Sequence, residues 1–546
     1  MTSPTIVDLW LQSKNVSAAD KQKIALMSQE ELGIAFADKP LAFGTAGIRA
    51  KMGPGTQFLN RVTYYQMTSG YAKFLLEKFA NQEVKVIVAH DNRNNGIQFA
   101  ADVADLLTSM GIKVVLFDNN QLASTPVVSF AIRHIGAQGA VIVTASHNPK
   151  EDNGFKIYDE TGGQVLPDDG KRIAQLMISP QEALALNVKS DDSLISFFDE
   201  SIFEKYYLEC LKAVIKTDIR ENKNFPIIFS GQHGTASKRL PVFLKCLGYT
   251  NIICVKEQCE YDGNFSNTKT PNPENREAWD LSITYADRYN ANVIVQVDPD
   301  ADRFAIGLRH QGNWRFLSGN QMGIIYTYYV LRNKRFTKTP YVVSSWVSTN
   351  LIDRIVKDYG GKVYRVGTGF KWQGAKINEI GDREDFVVGF EEAVGALNSK
   401  INRDKDAYQA AALALEIYYE CYKQGCDLVD LLETEIYGKY GQIYNETISF
   451  TFTEFNWTEL AQQRMDKLLT YAAGKILNRP ITAVKFNEGG GCIDWILDGD
   501  SWIRFRMSGT EPKFKVYLNL YGNSLAELND EASAIDKEIR NLLDLK

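Results

Sequence analysis

The sequence predicts an α/β protein of several domains that ends in a smaller α+β domain. Short apolar runs rich in Val and Ile alternate with helix-length segments along most of the chain, a pattern typical of mostly parallel sheets. Beyond about Tyr444, several strand-like runs follow one another directly, which favours an α+β arrangement. The 546 residues are enough for roughly three to five domains.

Composition narrows the class of protein. Hydrophobic residues make up 45% and charged residues 23% of the chain, as in ordinary globular proteins, and the net charge of -6 predicts no nucleic-acid partner. The seven cysteines lack metal-binding spacing, so we expect a reduced, cytoplasmic protein. The N-terminus does not resemble a secretory signal and the longest apolar stretches are too short to cross a bilayer, so we expect no membrane partner.

Periodicity and turn residues place the first elements. We expect a helical stretch at 5–37, then helix 63–79, strand 84–89, helix 97–110, strand 113–117 and a strand at 140–143. A helix within 165–177 is expected to take Asp168 or Asp169 as its N-cap, after Pro167. A second α/β unit is expected from a helix at 197–215, with strands at 227–230, 252–255 and 292–297.

Two further units complete the chain. The third is expected to contain helix 319–332, strand 341–345, helix 349–358, strand 362–366, strand 385–390 and helix 406–423. The last is expected to contain strands 448–452, 483–486, 492–497, 502–507 and 513–521 with helices 457–477 and 524–543.

The stretch T-A-S-H-N-P at residues 144–149 carries the clearest chemistry. It follows a buried strand-like run, and Pro149 disfavours helix at the residue before it, so Ser146 is expected in a loop at the carboxyl end of a strand. Open α/β sheets bind their ligands there. A serine beside His147, with Lys156 a few residues on, could be a phosphorylatable nucleophile with acid/base help. A plain turn rich in Ser and Asn is the alternative for this stretch alone.

Two other loops suit phosphate and metal. In G-T-A-G-I-R (44–49) the glycines allow a ligand to approach the backbone and Arg49 supplies a fixed positive charge, although the motif also fits a plain glycine turn. In D-P-D-A-D-R the carboxylates of Asp298, Asp300 and Asp302 alternate after a strand and can converge on one hard cation. An EF-hand is excluded, because Arg303 stands where that loop needs glycine.

The last two motifs are a pair of loops, near Gly367 and Glu391, and a hairpin that begins near Arg506. Gly367–Lys371 reads G-T-G-F-K, and the strand at 385–390 leads into Glu391 and Glu392, which could act as acid/base groups, bind hydroxyls or lie at the surface. In the hairpin R-M-S-G-T-E-P-K, the turn offers N–H and hydroxyl donors and Arg506 adds charge, which indicates an anion site. A solvated basic hairpin is the alternative.

These motifs, in this order, resemble the α-D-phosphohexomutases, the phosphoglucomutase/phosphomannomutase superfamily. T-A-S-H-N-P followed by D-N-G-F-K is similar to its phosphoserine loop, D-P-D-A-D-R to its metal loop and R-M-S-G-T-E-P-K to its phosphate-binding loop. The resemblance runs from about Phe43 to Tyr517. It implies three similar α/β domains with mixed, mostly parallel sheets and a smaller C-terminal α+β domain, around a central cleft. We expect the domains at residues 1–195, 196–315, 316–440 and 441–546.

The resemblance also implies roles for single residues. Ser146 is the phosphorylated residue and, with Asp298, Asp300 and Asp302, a ligand of Mg²⁺; the remaining catalytic residues are His147, Lys156 and Arg49. The implied substrate-binding residues are Arg303, Thr368, Gly369, Lys371, Glu391, Arg506, Ser508, Gly509, Thr510 and Lys513. Ala393 and Phe390 depart from the sugar-binding loop of the family and resemble the phosphopentomutase-like branch, so the preferred sugar stays open.

The expected function is therefore a phosphosugar mutase that interconverts sugar 1-phosphate and 6-phosphate, in the first place those of glucose. The resemblance implies a phosphoserine enzyme, a bisphosphate intermediate and glucose 1,6-bisphosphate as the activating primer. Specificity for mannose or pentose phosphates is one alternative, and a metal-dependent sugar-phosphate phosphohydrolase is another. The C-terminal anion site favours the mutase, because a hydrolase need not hold a second phosphate. Lys156 and His147 both stay candidates for the proton transfer, and a monomer and a homodimer are both compatible with the sequence.

Overall fold

The computed structural model describes residues 5–37, 41, 47–452, 457–471, 474–507 and 513–544. The chain divides into two compact units. The first comprises Met1–Arg309 and Ser399–Ala412, and the second comprises His310–Asn398 and Leu413–Lys546. No helix among the described residues is both long and apolar enough to pass through a bilayer.

Three short helices open the first unit where one helical stretch was expected. Their bounds are Ile6–Gln12 (α1), Ala18–Leu26 (α2) and Gln29–Ala35 (α3). Each begins at a hydroxyl residue, Thr5, Ser17 or Ser28, whose side chain accepts a hydrogen bond from a backbone N–H of the first turn. The helical stretch is interrupted at Ser17 and again at Ser28, because each of these N-cap residues takes an extended backbone conformation.

A six-stranded mixed sheet follows in the first unit. Its strands are Ile48–Lys51 (β1), Lys85–His90 (β2), Lys113–Phe117 (β3), Gly139–Val143 (β4), Asp152–Asp159 (β5) and Ile195–Phe198 (β6), in the spatial order β1-β5-β4-β2-β3-β6. β2, β3, β4 and β6 run parallel, whereas β5 is antiparallel to both of its neighbours. The accompanying helices are Arg61–Lys78 (α4), Gly96–Ser109 (α5), Thr125–Ile135 (α6), Pro167–Leu176 (α7) and Pro180–Ala185 (α8).

A second sheet of the first unit has the strand order β10-β9-β7-β8. The strands are Ile227–Ser230 (β7), Ile252–Cys254 (β8), Val293–Val297 (β9) and Phe304–His310 (β10), and the helices are Ser201–Cys210 (α9), Leu240–Cys246 (α10) and Asp280–Tyr289 (α11). β7 lies parallel to β8 and to β9. The acidic loop that follows β9 turns back into antiparallel β10.

The second unit contains a third mixed sheet. Asn313–Phe316 (β11) precedes Pro340–Ser345 (β12), Lys362–Val366 (β13), Asp385–Glu391 (β14) and Gly395–Leu397 (β15), and the last four have the order β13-β12-β14-β15. The helices are Gly319–Asn333 (α12), Leu351–Asp358 (α13) and Phe370–Ile380 (α14). Helix α15 (Ala407–Lys423) begins in the first unit and ends in the second; Leu428–Asp430 (α16), a π-helical turn at Leu431–Ile436 and Tyr437–Tyr440 (α17) follow.

A fully antiparallel sheet ends the chain. Its strands are Gln442–Thr451 (β16), Lys475–Ile476 (β17), Arg479–Asn487 (β18), Cys492–Leu497 (β19), Trp502–Met507 (β20) and Lys513–Gly522 (β21), in the order β16-β21-β20-β19-β18-β17. Trp457–Leu469 (α18) and Leu525–Leu543 (α19) bury one face of this sheet. The predicted fold class is confirmed, and Ile503 and Phe505 face the core as period 2 requires.

Three local predictions are wrong. The helix expected at 457–477 ends at Leu469, and Lys475–Ile476 form the strand β17. The N-cap of α7 is Leu166, with Pro167 as the first helical residue, and Asp168 and Asp169 lie inside the first turn. Proline suits that position because its missing N–H would be unpaired there in any case. The start of the helix expected at 197–215 is the strand β6, which hydrogen-bonds to β3, and the helix itself begins at Ser201.

Candidate active site

Ser146 lies in the loop after the buried strand β4, as the sequence predicted. Its φ of 52° is in the left-handed region, and its backbone N–H donates to Thr144 Oγ1 at 2.9 Å. The side chain is buried, and its Oγ donates to Asp298 Oδ2 at 2.8 Å. The structure thus brings the predicted nucleophile into direct contact with the acidic loop, 152 residues further along the chain.

The three carboxylates after β9 converge. Oxygen atoms of Asp298, Asp300 and Asp302 all lie within 4.8 Å of one another, and all three residues are buried. The loop turns through Ala301, whose φ is 56°. Oδ1 of Asp298 accepts the N–H groups of Asp302 and Arg303 at 3.1 and 2.9 Å.

The remaining oxygens of this cluster fit a cation. Asp300 Oδ1 and Asp302 Oδ1 are buried without a hydrogen-bond partner among the described residues. An unpaired buried carboxylate oxygen costs several kcal/mol, and a hard divalent ion is a partner that satisfies it. Burial and then the neighbouring Asp300 and Asp302 hold the pKa of Asp298 well above its usual range.

Two buried lysines offset part of this negative charge. Lys156 Nζ, from β5, lies 3.1 Å from Asp302 and 3.3 Å from Asp300, and Lys405 Nζ lies 3.1 Å from Asp302. Burial opposes the charge on Lys156, but Asp302, Asp300 and Asp404 outweigh it and raise the pKa of its ammonium group. Lys156 is therefore placed as a cation beside the carboxylates.

The segment that supplies Lys405 was not predicted. Asp404 accepts hydrogen bonds from Tyr158 Oη at 2.6 Å and from Gln164 Nε2 at 2.7 Å. Asp406 accepts further bonds from Tyr206 Oη and Asn402 Nδ2, each at 2.7 Å. Because these carboxylates fix residues 402–406 against β5 and α9, Lys405 reaches the acidic loop. The alternating charges of R-D-K-D (403–406), just before a long apolar helix, were the available sequence signal.

Thr125 is a second residue that the sequence did not indicate. At the start of α6, its Oγ1 donates to Asp300 Oδ2 at 2.9 Å, and its N–H donates to the carbonyl of Asp300, also at 2.9 Å. Lys156 Nζ donates to the same hydroxyl at 3.2 Å. Thr125 therefore fixes the orientation of the Asp300 carboxylate, and no motif marks such a residue.

The other predicted groups of the first unit lie around the serine loop. Arg49 is exposed on β1, and its guanidinium donates to Asn148 Oδ1 at 3.4 Å. Arg303 pairs with Glu274. Burial and the charges of Arg303 and Arg49 hold the pKa of the half-buried His147 well below its usual range. The imidazole is consequently neutral near pH 7.

In the second unit, the two predicted loops of the third sheet meet. The N–H of Gly369 donates to Glu391 Oε1 at 2.9 Å, and Gly369 has a φ of +108°, which a residue with a side chain rarely adopts. Thr368 lies beside it, and Oγ1 of that residue is buried without a hydrogen-bond partner among the described residues. Lys371 is buried in the first turn of α14, and burial lowers the pKa of its amine to about 8.

The hairpin that the sequence predicted to bind phosphate is described only at its two sides. Arg506 is half-buried on β20, and Lys513 is the first residue of β21. Ser508, Gly509 and Thr510 lie outside the described residues. Arg504, on the same face of β20 as Arg506, donates to Asp494 Oδ1 at 2.9 Å and to the carbonyl of Trp346.

A second cluster of possible metal ligands has a structural explanation. His310 Nδ1 lies 2.9 Å from Asp427 Oδ2, and Asp430 is close to both. Asp427 is the N-cap of α16 and accepts the N–H groups of Val429 and Asp430, while the carboxylate of Asp430 accepts the N–H of Asp427. These oxygens are engaged in capping, so this cluster is not a second candidate site.

Comparison with known proteins agrees with this geometry. Models of the phosphoglucomutase/phosphomannomutase family match residues 40–183 (alpha/beta/alpha domain I), 205–312 (domain II) and 318–436 (domain III). The chain belongs to the phosphoglucomutase/phosphomannomutase family. It is accordingly an isomerase of the intramolecular phosphotransferase class, a phosphohexomutase.

The relatives carry two names. A phosphomannomutase of Mycoplasmoides pirum is 66% identical over 99% of both chains, and one of Mycoplasma pneumoniae is 39% identical over 98% of both. A phosphoglucomutase of Staphylococcus haemolyticus is 33% identical over 90% of this chain and 92% of its own. Among solved structures, a putative phosphomannomutase from Thermus thermophilus has a TM-score of 0.72 at 24% identity, over 93% of this chain and 99% of its own, which is a likeness of fold.

Proposed function

We propose that this enzyme interconverts hexose 1-phosphates and 6-phosphates with Ser146 as the phosphoryl carrier. The observation that carries the proposal is the hydrogen bond from Ser146 Oγ to Asp298, which belongs to a loop of three buried carboxylates. Two of these, Asp300 and Asp302, have an oxygen without a hydrogen-bond partner among the described residues. Glucose 1-phosphate is the substrate that the sequence predicted. Mannose 1-phosphate is the second candidate, because the relatives at 66% and 39% identity are named phosphomannomutases.

The proposed reaction has two transfers at one serine. In the first, the phosphoserine P–O bond breaks, a sugar hydroxyl forms a new P–O bond, and the hydroxyl proton passes to a protein base. In the second, the other phosphate of the bisphosphate is transferred back to Ser146 and its sugar oxygen regains a proton. Lys156 and His147 are the two candidates for moving this proton. The neutral His147 can accept it directly, whereas Lys156, held as a cation, must first lose its own proton. Glucose 1,6-bisphosphate would prime an enzyme that has lost its phosphoryl group.

Asp298, Asp300 and Asp302 would hold Mg²⁺ in this proposal. The ion would offset the charge of a phosphoserine, which is about −1.5 to −2 near pH 7. The chain itself contributes positive charge through Lys156 and Lys405.

For the second unit, we keep the substrate-binding roles that the resemblance implied. We assign Glu391 to the sugar hydroxyls, with Thr368, Gly369 and Lys371 beside it, because the Gly369–Glu391 hydrogen bond joins the two loops. The hairpin with Arg506 and Lys513 is assigned to the non-reacting phosphate. In the four-domain division proposed from the sequence, each of the four functional loops belongs to a different domain.

The test is to follow both sugar and phosphate. Wild-type enzyme given glucose 1-phosphate or mannose 1-phosphate, with a trace of the matching 1,6-bisphosphate, should form the 6-phosphate and release little inorganic phosphate. Ser146→Ala should lose nearly all turnover while still binding the sugar phosphate, because only the acceptor oxygen is removed. Mass spectrometry should find Ser146 phosphorylated in the wild type.

Stoichiometric release of inorganic phosphate without 6-phosphate would establish the phosphohydrolase instead. The ratio of kcat/KM for the two hexoses decides between the two sugar candidates, and a pentose 1-phosphate tests the phosphopentomutase alternative.

A further inference from the structure

We infer that Arg93 is a positioning residue for phosphoryl transfer, which fixes the loop of Ser146 through four backbone carbonyls. The inference rests on the proposed role of Ser146. Arg93 follows β2, does not belong to any motif identified in the sequence, and is 3% exposed.

The contacts of its guanidinium match the donors that the group possesses. Nη2 of Arg93 donates to the carbonyls of Ser146 and Asn148 at 2.7 and 2.5 Å. Nη1 donates to the carbonyls of Pro149 and Asp152 at 2.8 and 2.9 Å. Each terminal nitrogen thus uses both of its hydrogens, and the planar fork holds both sides of the loop at once.

A second set of bonds holds the same loop from its amino-terminal side. Asp91 Oδ1 accepts the N–H of Arg93 at 2.9 Å, and its Oδ2 accepts the hydroxyl of Thr144 at 2.5 Å. That hydroxyl in turn accepts the N–H of Ser146 at 2.9 Å. Asp91, Arg93 and Thr144 therefore form one buried network with the serine backbone.

The network holds Ser146 in an unfavourable backbone conformation, because the φ of Ser146 is positive. A residue with a side chain enters this region at a cost of about 1–2 kcal/mol, so an unrestrained loop would leave it. Relaxation of the loop would turn Oγ away from Asp298, to which it now donates at 2.8 Å. Arg93 thus acts on the reaction through the direction of the serine oxygen.

The aromatic ring of Phe265 packs against the guanidinium group of Arg93. The centre of its ring lies 5.0 Å from the guanidinium carbon of Arg93. The adjoining residues also fasten the two segments together: Asn92 Nδ2 donates to the carbonyl of Asp262 at 2.9 Å. Arg93 is consequently packed between the serine loop and the loop of Phe265, and water does not compete for its bonds.

The experiment compares Arg93→Lys with the wild type in single-turnover transfer of labelled phosphate from glucose 1,6-bisphosphate to dephosphorylated Ser146. Lysine keeps the charge near Asp91 but has one nitrogen, which cannot bond to four carbonyls. We expect the transfer rate and kcat to fall about 100-fold, the effect of a misplacement near 1 Å, with KM within about threefold of the wild type. Low, non-denaturing concentrations of guanidinium should restore activity to Arg93→Ala.

Arg479→Lys is the matched control. Arg479 also makes four side-chain hydrogen bonds, to Glu531, Ser501 and the carbonyl of Tyr521, and none of these partners is a proposed site residue. Its replacement should lower the melting temperature and leave kcat unchanged. Equal transfer rates in Arg93→Lys and wild type would overturn the inference, as would a fall in kcat of the same size in both arginine variants.

Thr144 provides a second, milder test if Arg93→Lys does not fold. Thr144→Val removes the hydroxyl that links Ser146 to Asp91 and should slow transfer, whereas Thr144→Ser keeps the hydroxyl and should restore it; equal rates in these two variants would also overturn the inference. Whether wild-type Ser146 carries phosphate distinguishes a failure of the proposed function from a failure of the inference about Arg93. If the wild type never carries phosphate there, the proposed function fails; if it does and these variants transfer at the wild-type rate, only the inference about Arg93 fails.

Discussion

The acidic loop after β9 allows a quantitative test with Asp300→Asn. Three carboxylates have oxygens within 4.8 Å of one another, and two unit charges at that separation repel by about 3.5 kcal/mol at an effective dielectric constant near 20. Replacing one carboxylate by an amide removes one of the three anionic ligands while keeping the size of the side chain. We therefore expect a large loss of Mg²⁺ affinity with little change in fold.

The assay is thermal unfolding of chelator-treated protein as MgCl₂ is added. At about 100 times its dissociation constant, the ion should stabilise the wild type by about 2.7 kcal/mol. At an unfolding entropy of about 2.1 cal/mol/K per residue, this corresponds to a rise of about 4 °C in the transition that reports the first unit, which has more than 300 residues. Asp300→Asn should lose most of this rise, and its turnover with Mg²⁺ should be abolished.

Asp427→Asn is the matched control, since it removes a carboxylate from the other acidic cluster, which the structure explains by helix capping. It should unfold at a lower temperature than the wild type but keep the full rise with Mg²⁺. A full rise in Asp300→Asn, or an equal loss in both variants, would refute the assignment of the metal to Asp298, Asp300 and Asp302.

Two predictions concern the second unit. Arg506→Ala should weaken glucose 6-phosphate binding by about 1.5–3 kcal/mol, because a charge-assisted contact is lost, and should leave binding of unphosphorylated glucose unchanged in calorimetry; equal losses for both ligands would contradict it. Because burial lowers the pKa of Lys371 to about 8, the charge is lost as the pH rises through 8, so KM for sugar phosphates should increase there and Lys371→Arg should abolish this increase. The same shift makes the fold less stable below pH 8 and more stable as the pH rises toward the ordinary lysine value, and the absence of any such slope would contradict the burial argument.

The residues that the sequence predicted to act in the site lie in short segments of the chain. Ser146 and the carboxylates of Asp298, Asp300 and Asp302 each stand at the end of a strand that periodicity had located, so the pattern predicted their place in the fold, while their roles stay predictions. The alternation in β20 likewise predicted which side chains enter the core. Such features depend on neighbours within a few residues, which a single sequence displays.

The residues that were missed depend on contacts across long stretches of chain. The bond from Thr125 to Asp300 spans 175 residues and that from Tyr158 to Asp404 spans 246. Arg93 reaches carbonyls 53 to 59 residues away, and carbonyls carry no side-chain signal at all. The prediction of a helix at β6 was wrong for the same reason, because the pairing of this strand with β3 decides its conformation.

The charges around the acidic loop give a reason for the proposed metal and the proposed phosphoserine to bind together. Lys156 and Lys405 form ion pairs with Asp302 and Asp404. The negative charges of Asp298 and Asp300 are therefore the least compensated in the cluster. A divalent cation alone would match the two remaining negative charges, whereas a phosphoserine of about −2 alone would add to the buried negative charge. Bound together they change the net charge of the site little, since the two contributions cancel. The hydrogen bond between Ser146 and Asp298 places the two groups at adjacent positions, so each reduces the electrostatic cost of the other.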